Sequence, residues 1–352
     1  MIRRYRRGDR EGRIPVGSLQ CPAGERDLDY NGVVNESTPP APRRLTRRQA
    51  LIGGAAAAAA VGAGRLAALA NGIVDGATAT EQAVRLDPPT ASPPALGGFD
   101  PGALYVALYG HPGSTNLGAL GEQSLPATIE RLTRQAAAYE PFGRPVVPTF
   151  EIIATVASAF PGADGDYSNE FPDSKFEPHL DAAAERGFHV ILDLQSGRST
   201  FPSQAAEIES MLARPNVSLA CDPEWRVGPD ERPGGGRIGS VDGSEINATV
   251  DLLDGVVRRH ALPPKMLVVH QFTPSMVTNK SIIRGTENVQ IVFHMDGFGT
   301  LELKRGSWER MVSDLPQGAM TGWKNFYDND RPTPTPAESL DNEPTPMLVT
   351  YQ

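Results

Sequence analysis

His189-Val190-Ile191-Leu192-Asp193-Leu194 is a short, nearly continuous apolar run broken only by one acid. After a polar stretch with helical spacing comes a second run, Val217-Ser218-Leu219-Ala220-Cys221, and then Asp222-Pro223-Glu224-Trp225. Strands this apolar are buried on both faces, the signature of a parallel sheet covered by helices. Working outward, the alternation repeats in both directions. Further candidate strands are Leu104–Tyr109, Val146–Ile152, Met266–His270, Gln290–His294, Ala319–Trp323 and Met347–Tyr351. Amphipathic stretches near 125–139, 177–186, 203–213, 244–260, 275–284, 302–313 and 336–341 are the expected helices. Eight strands alternating with helices in about 250 residues predict an α/β fold, a (β/α)8 TIM barrel over residues 101–352. An open doubly wound sheet is the competing topology. No Gly-rich phosphate loop follows the first strand, and Gly234-Gly235-Gly236 lies far from any strand-to-helix turn.

Composition agrees with one large domain. The chain has 352 residues, a formal net charge of −9 and 39% hydrophobic residues. Its 36 Gly and 32 Pro imply many turns. Two cysteines, Cys21 and Cys221, exclude a disulfide scaffold. The acidic balance argues against nucleic acid as a partner.

The first hundred residues read differently. Residues 1–42 are polar, Arg-rich and aperiodic, as a disordered extension would be. Arg43-Arg44-Leu45-Thr46-Arg47-Arg48 then leads into the apolar run Ala50–Ala63, and Ala68-Leu69-Ala70 supplies small residues at a cleavage site. Residues 43–70 resemble a twin-arginine (Tat) signal peptide of bacteria, with Arg47-Arg48 as the pair. The resemblance implies a secreted, cell-surface or periplasmic protein. No stable membrane span is expected, because the apolar run falls short of the roughly 20 residues a helix needs to cross. Residues 71–100 are Pro/Ala-rich and read as a linker.

In such barrels the chemistry gathers at the C-terminal ends of the strands. Those ends supply His111, Glu151, Asp193 with Gln195, Asp222 with Glu224 and Trp225, His270 with Gln271, His294 with Asp296, and Trp323 with Lys324. Residues two apart on a strand share a face, so Asp222 and Glu224 are expected to point the same way. Carboxylates converging in a mouth raise one another's pKa, which keeps one protonated beside an ionised neighbour. Trp225 and Trp323 suit stacking on sugars. Asp328-Asn329-Asp330 hints at calcium but lacks the remaining ligand spacing, and reads as a solvated loop.

Asp222-Pro223-Glu224 resembles the Asp-x-Glu strand end of chitinase-type barrel glycosidases. The resemblance implies glycoside hydrolysis, with Glu224 as proton donor and Asp222 as its helper. Ser218 and Ala220 stand where that family carries further Asp residues. A pair made of Glu224 with Asp296 or Glu151 would serve as well. On this reading the substrate is a carbohydrate or cell-wall polymer, neither metal nor cofactor is required, and a monomer suffices. Two alternatives stay open. His111-Pro112-Gly113 is similar to the His-Arg-Gly opening of glycerophosphodiesterases, which implies a metal-dependent phosphodiesterase with Glu151, Asp193 and Glu224 on Ca²⁺ or Mg²⁺. A non-catalytic glycan or cell-wall binding protein would use the same carboxylates as acceptors for sugar hydroxyls.

Overall fold

The computed structural model describes residues 98–352. The expectations for the N-terminal extension, the signal and nearly all of the linker lie outside the described residues. Eight parallel strands form the sheet: β1 Leu104–Gly110, β2 Val146–Ala157, β3 His189–Leu194, β4 Val217–Cys221, β5 Lys265–Gln271, β6 Val289–Met295, β7 Met320–Asn325 and β8 Leu348–Tyr351. Each pairs with its sequence neighbour. β8 returns to β1 with Tyr105 opposite Leu348 and Leu108 opposite Tyr351, so the sheet closes into a barrel.

The helices between strands are α1 Leu125–Ala137, α2 Glu177–Arg186, α3 Phe201–Glu207, α4 Glu209–Leu212, α5 Gly243–Arg259, α6 Leu301–Val312 and α7 Pro336–Leu340. Four of their starts, those of α3, α5, α6 and α7, are set by side chains that accept the free backbone N–H groups of the first turn. Thr200 accepts from Ser203, Asp242 from Ser244 and Thr300 from Leu303, while Thr335 and Glu338 form a reciprocal capping box.

One expected helix does not form. The stretch 275–284 makes two short 3-10 turns, Pro274–Met276 and Lys280–Ile282, around the bridging pair Val277–Thr278. Val277 and Thr278 pair with Val241 and Asp242. The β-branched pair favours that extended bridge, and Asn279 takes a left-handed φ of 50°, which no helix interior allows. The stretch 203–213 is likewise split at Ile208 into α3 and α4. Asp330, expected in a solvated loop, is buried and paired with Lys304 at 2.8 Å.

Strand alternation divides the core into two layers. Leu104, Val106, Leu108, Val190, Leu192, Leu267, Val269 and Val349 belong to the layer that packs against the helices. Their alternates Tyr105, Ala107, Ile191, Ala220, Met266, Val268, Val292 and Leu348 form a separate inner core. Every fully buried side chain of this kind contributes roughly 1.5–3 kcal/mol, so the interior is a packed core rather than a pore. The inner apolar layer ends at Ala107, Ile191, Ala220, Val268, Val292 and Leu348. What stands two residues further along each strand defines the site.

Candidate functional site

Those next inward positions are Tyr109, Glu151, Asp193, Asp222, His270, His294, Lys324 and Thr350, seven on their strands and Asp222 one residue past β4. All eight are buried. Polar groups cannot sit there without partners, and they supply most of the partners themselves. His270 lies at the centre. Its Nδ1 is 2.9 Å from Asp296 Oδ2 and its Nε2 is 2.9 Å from Glu151 Oε1. Thr350 donates its hydroxyl to the other oxygen of Glu151 at 2.7 Å. Lys324 Nζ reaches Asp296 at 3.1 and 3.2 Å and rests 3.6 Å above the centre of the Tyr109 ring. The Tyr109 hydroxyl donates to Asp193 Oδ2 at 2.8 Å and receives the Gln195 amide at 3.3 Å. Gln195 Oε1 in turn accepts the Ala157 N–H, tying β2 to the loop after β3.

Asp222 and Glu224 do not lie side by side on a strand. β4 stops at Cys221, and Pro223–Trp225 form a 3-10 turn with Asp222 as its cap. Asp222 Oδ1 accepts the Glu224 N–H at 3.2 Å, so Asp222 shapes the turn that presents Glu224. The Glu224 carboxyl, partly open to solvent, takes no hydrogen bond from another described residue.

The network sorts the titratable groups. Burial alone would raise the Glu151 carboxyl, but the His270 hydrogen bond and the His270, His294 and Lys324 charges hold it at about 2. Asp296 is likewise pulled well below the ordinary carboxylate range against its burial, by Lys324 and His270. Glu224 goes the other way: burial first, then the Asp296 charge, lift it to about 7. Burial and neighbouring charge raise Asp193 and Asp222 too. His270 is raised well above an ordinary imidazole because its two carboxylate bonds outweigh burial. His294, buried and without hydrogen bonds among the described residues, is lowered to about 3. The ionised carboxylates Glu151 and Asp296 therefore face the cations His270 and Lys324, beside Glu224, Asp193 and Asp222, which hold their protons more tightly than ordinary carboxyls.

Of the residues expected at the mouth, Glu151, Asp193, Gln195, Asp222, His270, His294, Asp296 and Lys324 are brought together, with Glu224 on the turn beside them. Gln271 and Trp323 are not. Each neighbours an inward residue, His270 or Lys324, and so projects from the other side of its strand. Trp323 is buried in the helix-facing layer, 5.7 Å from the Trp308 ring, and donates Nε1–H to Asn325 at 2.8 Å. It is no platform for a sugar. Gln271 donates to the Thr273 carbonyl. His111 is buried beyond β1 between Phe171 and Phe176, where its Nδ1 accepts the Gly113 N–H. Burial and the Lys175 charge lower its pKa. Trp225 is half-buried in the turn that carries Glu224. Tyr109 and Thr350 were not expected as site residues, although their inward parity with Ala107 and Leu348 marks both.

The site also groups three metal-ligating atoms, and a separate cleft in the loops has no site residue in its lining. A Glu151 oxygen and one ring nitrogen each of His270 and His294 lie within 4.8 Å of one another, a grouping able to hold a metal ion. The loops after β2, β3 and β4 enclose a cleft of about 400 Å³ lined by Tyr167, Arg198, Val227, Asp230, Glu231 and Arg237, among others. There the Arg198 guanidinium lies 4.2 Å above the Tyr167 ring.

The fold and site together define a (β/α)8-barrel protein with one polar side chain on or just past every strand at its C-terminal mouth. No model of a known protein family matches the chain, and no curated protein matches it. Among the described residues no helix is long and apolar enough to cross a membrane.

Proposed function

We propose that the protein is an exported hydrolase that cleaves glycosidic bonds in a carbohydrate or cell-wall polymer, with Glu224 as proton donor and Asp296 as the ionised carboxylate. The observation that carries this reading is the contrast between two carboxyls of one mouth. Asp296 is clamped by Lys324 and His270, whereas the Glu224 carboxyl is free of hydrogen bonds to described residues. Glycoside hydrolysis needs that contrast: one group gives a proton to the leaving oxygen, the other carries negative charge for an oxocarbenium-like transition state. The raised pKa of Glu224 suits a donor near neutral pH. Asp222 acts through the backbone of the Glu224 turn, as a positioning residue. Trp225, half-buried on the turn that carries Glu224, supplies an aromatic face of the kind that holds sugar rings. The twin-arginine pattern at Arg47-Arg48 supports an address outside the cytoplasm, where such polymers lie.

The test is incubation of the purified protein with a panel of cell-wall and storage polysaccharides, read as new reducing ends. Release from at least one polymer, lost in Asp296→Asn, is expected. A folded wild type that binds a polymer and never releases ends from it would instead be a glycan-binding barrel, and the hydrolase reading would fall.

A further inference from the structure

The same mouth holds a set of metal-ligating atoms that acid–base chemistry does not exhaust: His270 Nδ1 serves Asp296, while His270 Nε2, Glu151 and His294 face one another. We infer that Glu151, His270 and His294 form a site for one divalent first-row transition-metal ion of the zinc class. This inference stands whether or not the barrel cleaves glycosides.

The argument starts at His270. An imidazole that donates its Nδ1–H to a carboxylate presents a bare lone pair at Nε2. Here Nδ1 faces Asp296 and Nε2 faces Glu151 Oε1, each at 2.9 Å. Two acceptors that close require a positive centre between them: in the metal-free chain it is the Nε2 proton that makes His270 a cation, and a metal ion bound there would displace that proton. His294 favours the ion. Its ring is fully buried, both nitrogens lack a partner among the described residues, and it stands edge-on to His270 with centroids 4.9 Å apart. A buried nitrogen without a partner is costly, and native structures keep such groups for a reason. The ring is also deliberately accommodated: a Cβ on Gly322 would come within 2.4 Å of His294 Cδ2.

The surroundings are built as metal sites are. Ligating histidines pass their other N–H to a carboxylate, and ligating carboxylates are themselves hydrogen-bonded. Asp296 does the first for His270 and Thr350 does the second for Glu151. Lys324, the nearby cation, is already neutralised by Asp296. Asp193 Oδ1 has no hydrogen-bond partner among the described residues and lies 4.0 Å from His270 Nε2, placed to accept from an ion-bound water. Two imidazoles and one carboxylate with an open position is a zinc donor set, whereas Mg²⁺ and Ca²⁺ take oxygen ligands.

The test uses the full chain, stripped with a chelator and dialysed, then titrated with Zn²⁺ by calorimetry and with Co²⁺ by visible absorption. One ion per chain is expected, with Co²⁺ bands of a four- or five-coordinate site, and neither Mg²⁺ nor Ca²⁺ competing. His294→Phe keeps the ring volume without the nitrogens and should abolish uptake while the protein stays folded by circular dichroism. Glu151→Gln should abolish it independently, and Asp296→Asn should weaken it about 10–100-fold. No zinc uptake by the folded wild type, or equal uptake by wild type and folded His294→Phe, would overturn the inference. Uptake is read without substrate, so its failure leaves the glycosidic reading where it stood.

Discussion

Replacing Lys324 with Met removes the ammonium that pairs with Asp296 while keeping an unbranched side chain one atom shorter. Lys324 and Asp296 are 2% and 8% exposed at their side chains, so water cannot take over the lost contact. Breaking a buried pair from one side typically costs about 3–5 kcal/mol, because a charge is left uncompensated. The His270 bond at 2.9 Å still supports Asp296, which pulls the expected loss toward the lower end. Loss of the cation over the Tyr109 ring, worth up to about 2 kcal/mol when desolvated, pushes it back up. The expected destabilisation is therefore about 3–5 kcal/mol, a large share of a typical total of about 5–15. Urea unfolding of wild type, Lys324→Met, Asp296→Asn and the double variant measures it as a cycle. The double variant should recover about 2–3 kcal/mol of the summed single losses, since it leaves no lone charge. Little change should follow from added salt, because screening barely reaches a buried pair. A coupling below about 0.5 kcal/mol, or a loss that disappears in high salt, would refute the clamp.

Three further outcomes follow from the same geometry. Gly322→Ala should cost about 1–3 kcal/mol in thermal or urea unfolding, because its methyl meets His294 Cδ2 at 2.4 Å. The pH dependence of Glu224 has a defined sign: its carboxyl binds a proton more tightly in the folded chain, so its contribution is full below its ordinary value of 4.5 and is lost as the pH rises to about 7. Wild type should thus lose stability relative to Glu224→Gln across that interval, with a constant gap above it, read by unfolding at a series of pH values. Arg47-Arg48 changed to Lys-Lys should stop export in a bacterium that has the twin-arginine route, read by cell fractionation.

The barrel was legible because its strands carry a strong local signal. Runs such as Val190–Leu192 and Leu267–Val269 are apolar on both faces only if the sheet is parallel and covered. The stretch 275–284 misled because its apolar residues fit a helical period, and nothing in that period reveals the left-handed Asn279 or the pairing with Val241 and Asp242. The site was legible as strand ends and less so as faces. Counting inward from Ala107, Val268 and Leu348 by twos selects Tyr109, His270 and Thr350, and turns Gln271 and Trp323 away. That parity is in the sequence once the inner layer is known. Asp222 falls two beyond Ala220 and obeys the same count, but Glu224 escapes it because Pro223 ends the ladder and the cap on Glu224 N–H replaces strand geometry with turn geometry. The split between a clamped Asp296 and a free Glu224 depends on Lys324 reaching across from the next strand, which no local pattern encodes.

The central claim is that Glu224 gives the proton in a hydrolysis carried out at the barrel mouth. Its most direct test is turnover by Glu224→Gln, per folded molecule, on a polymer that wild type cleaves. The account predicts a fall of about 10²–10⁴-fold with binding nearly unchanged, since Gln keeps the size and hydrogen-bonding reach but has no proton to give. Equal turnover by the two proteins would contradict it.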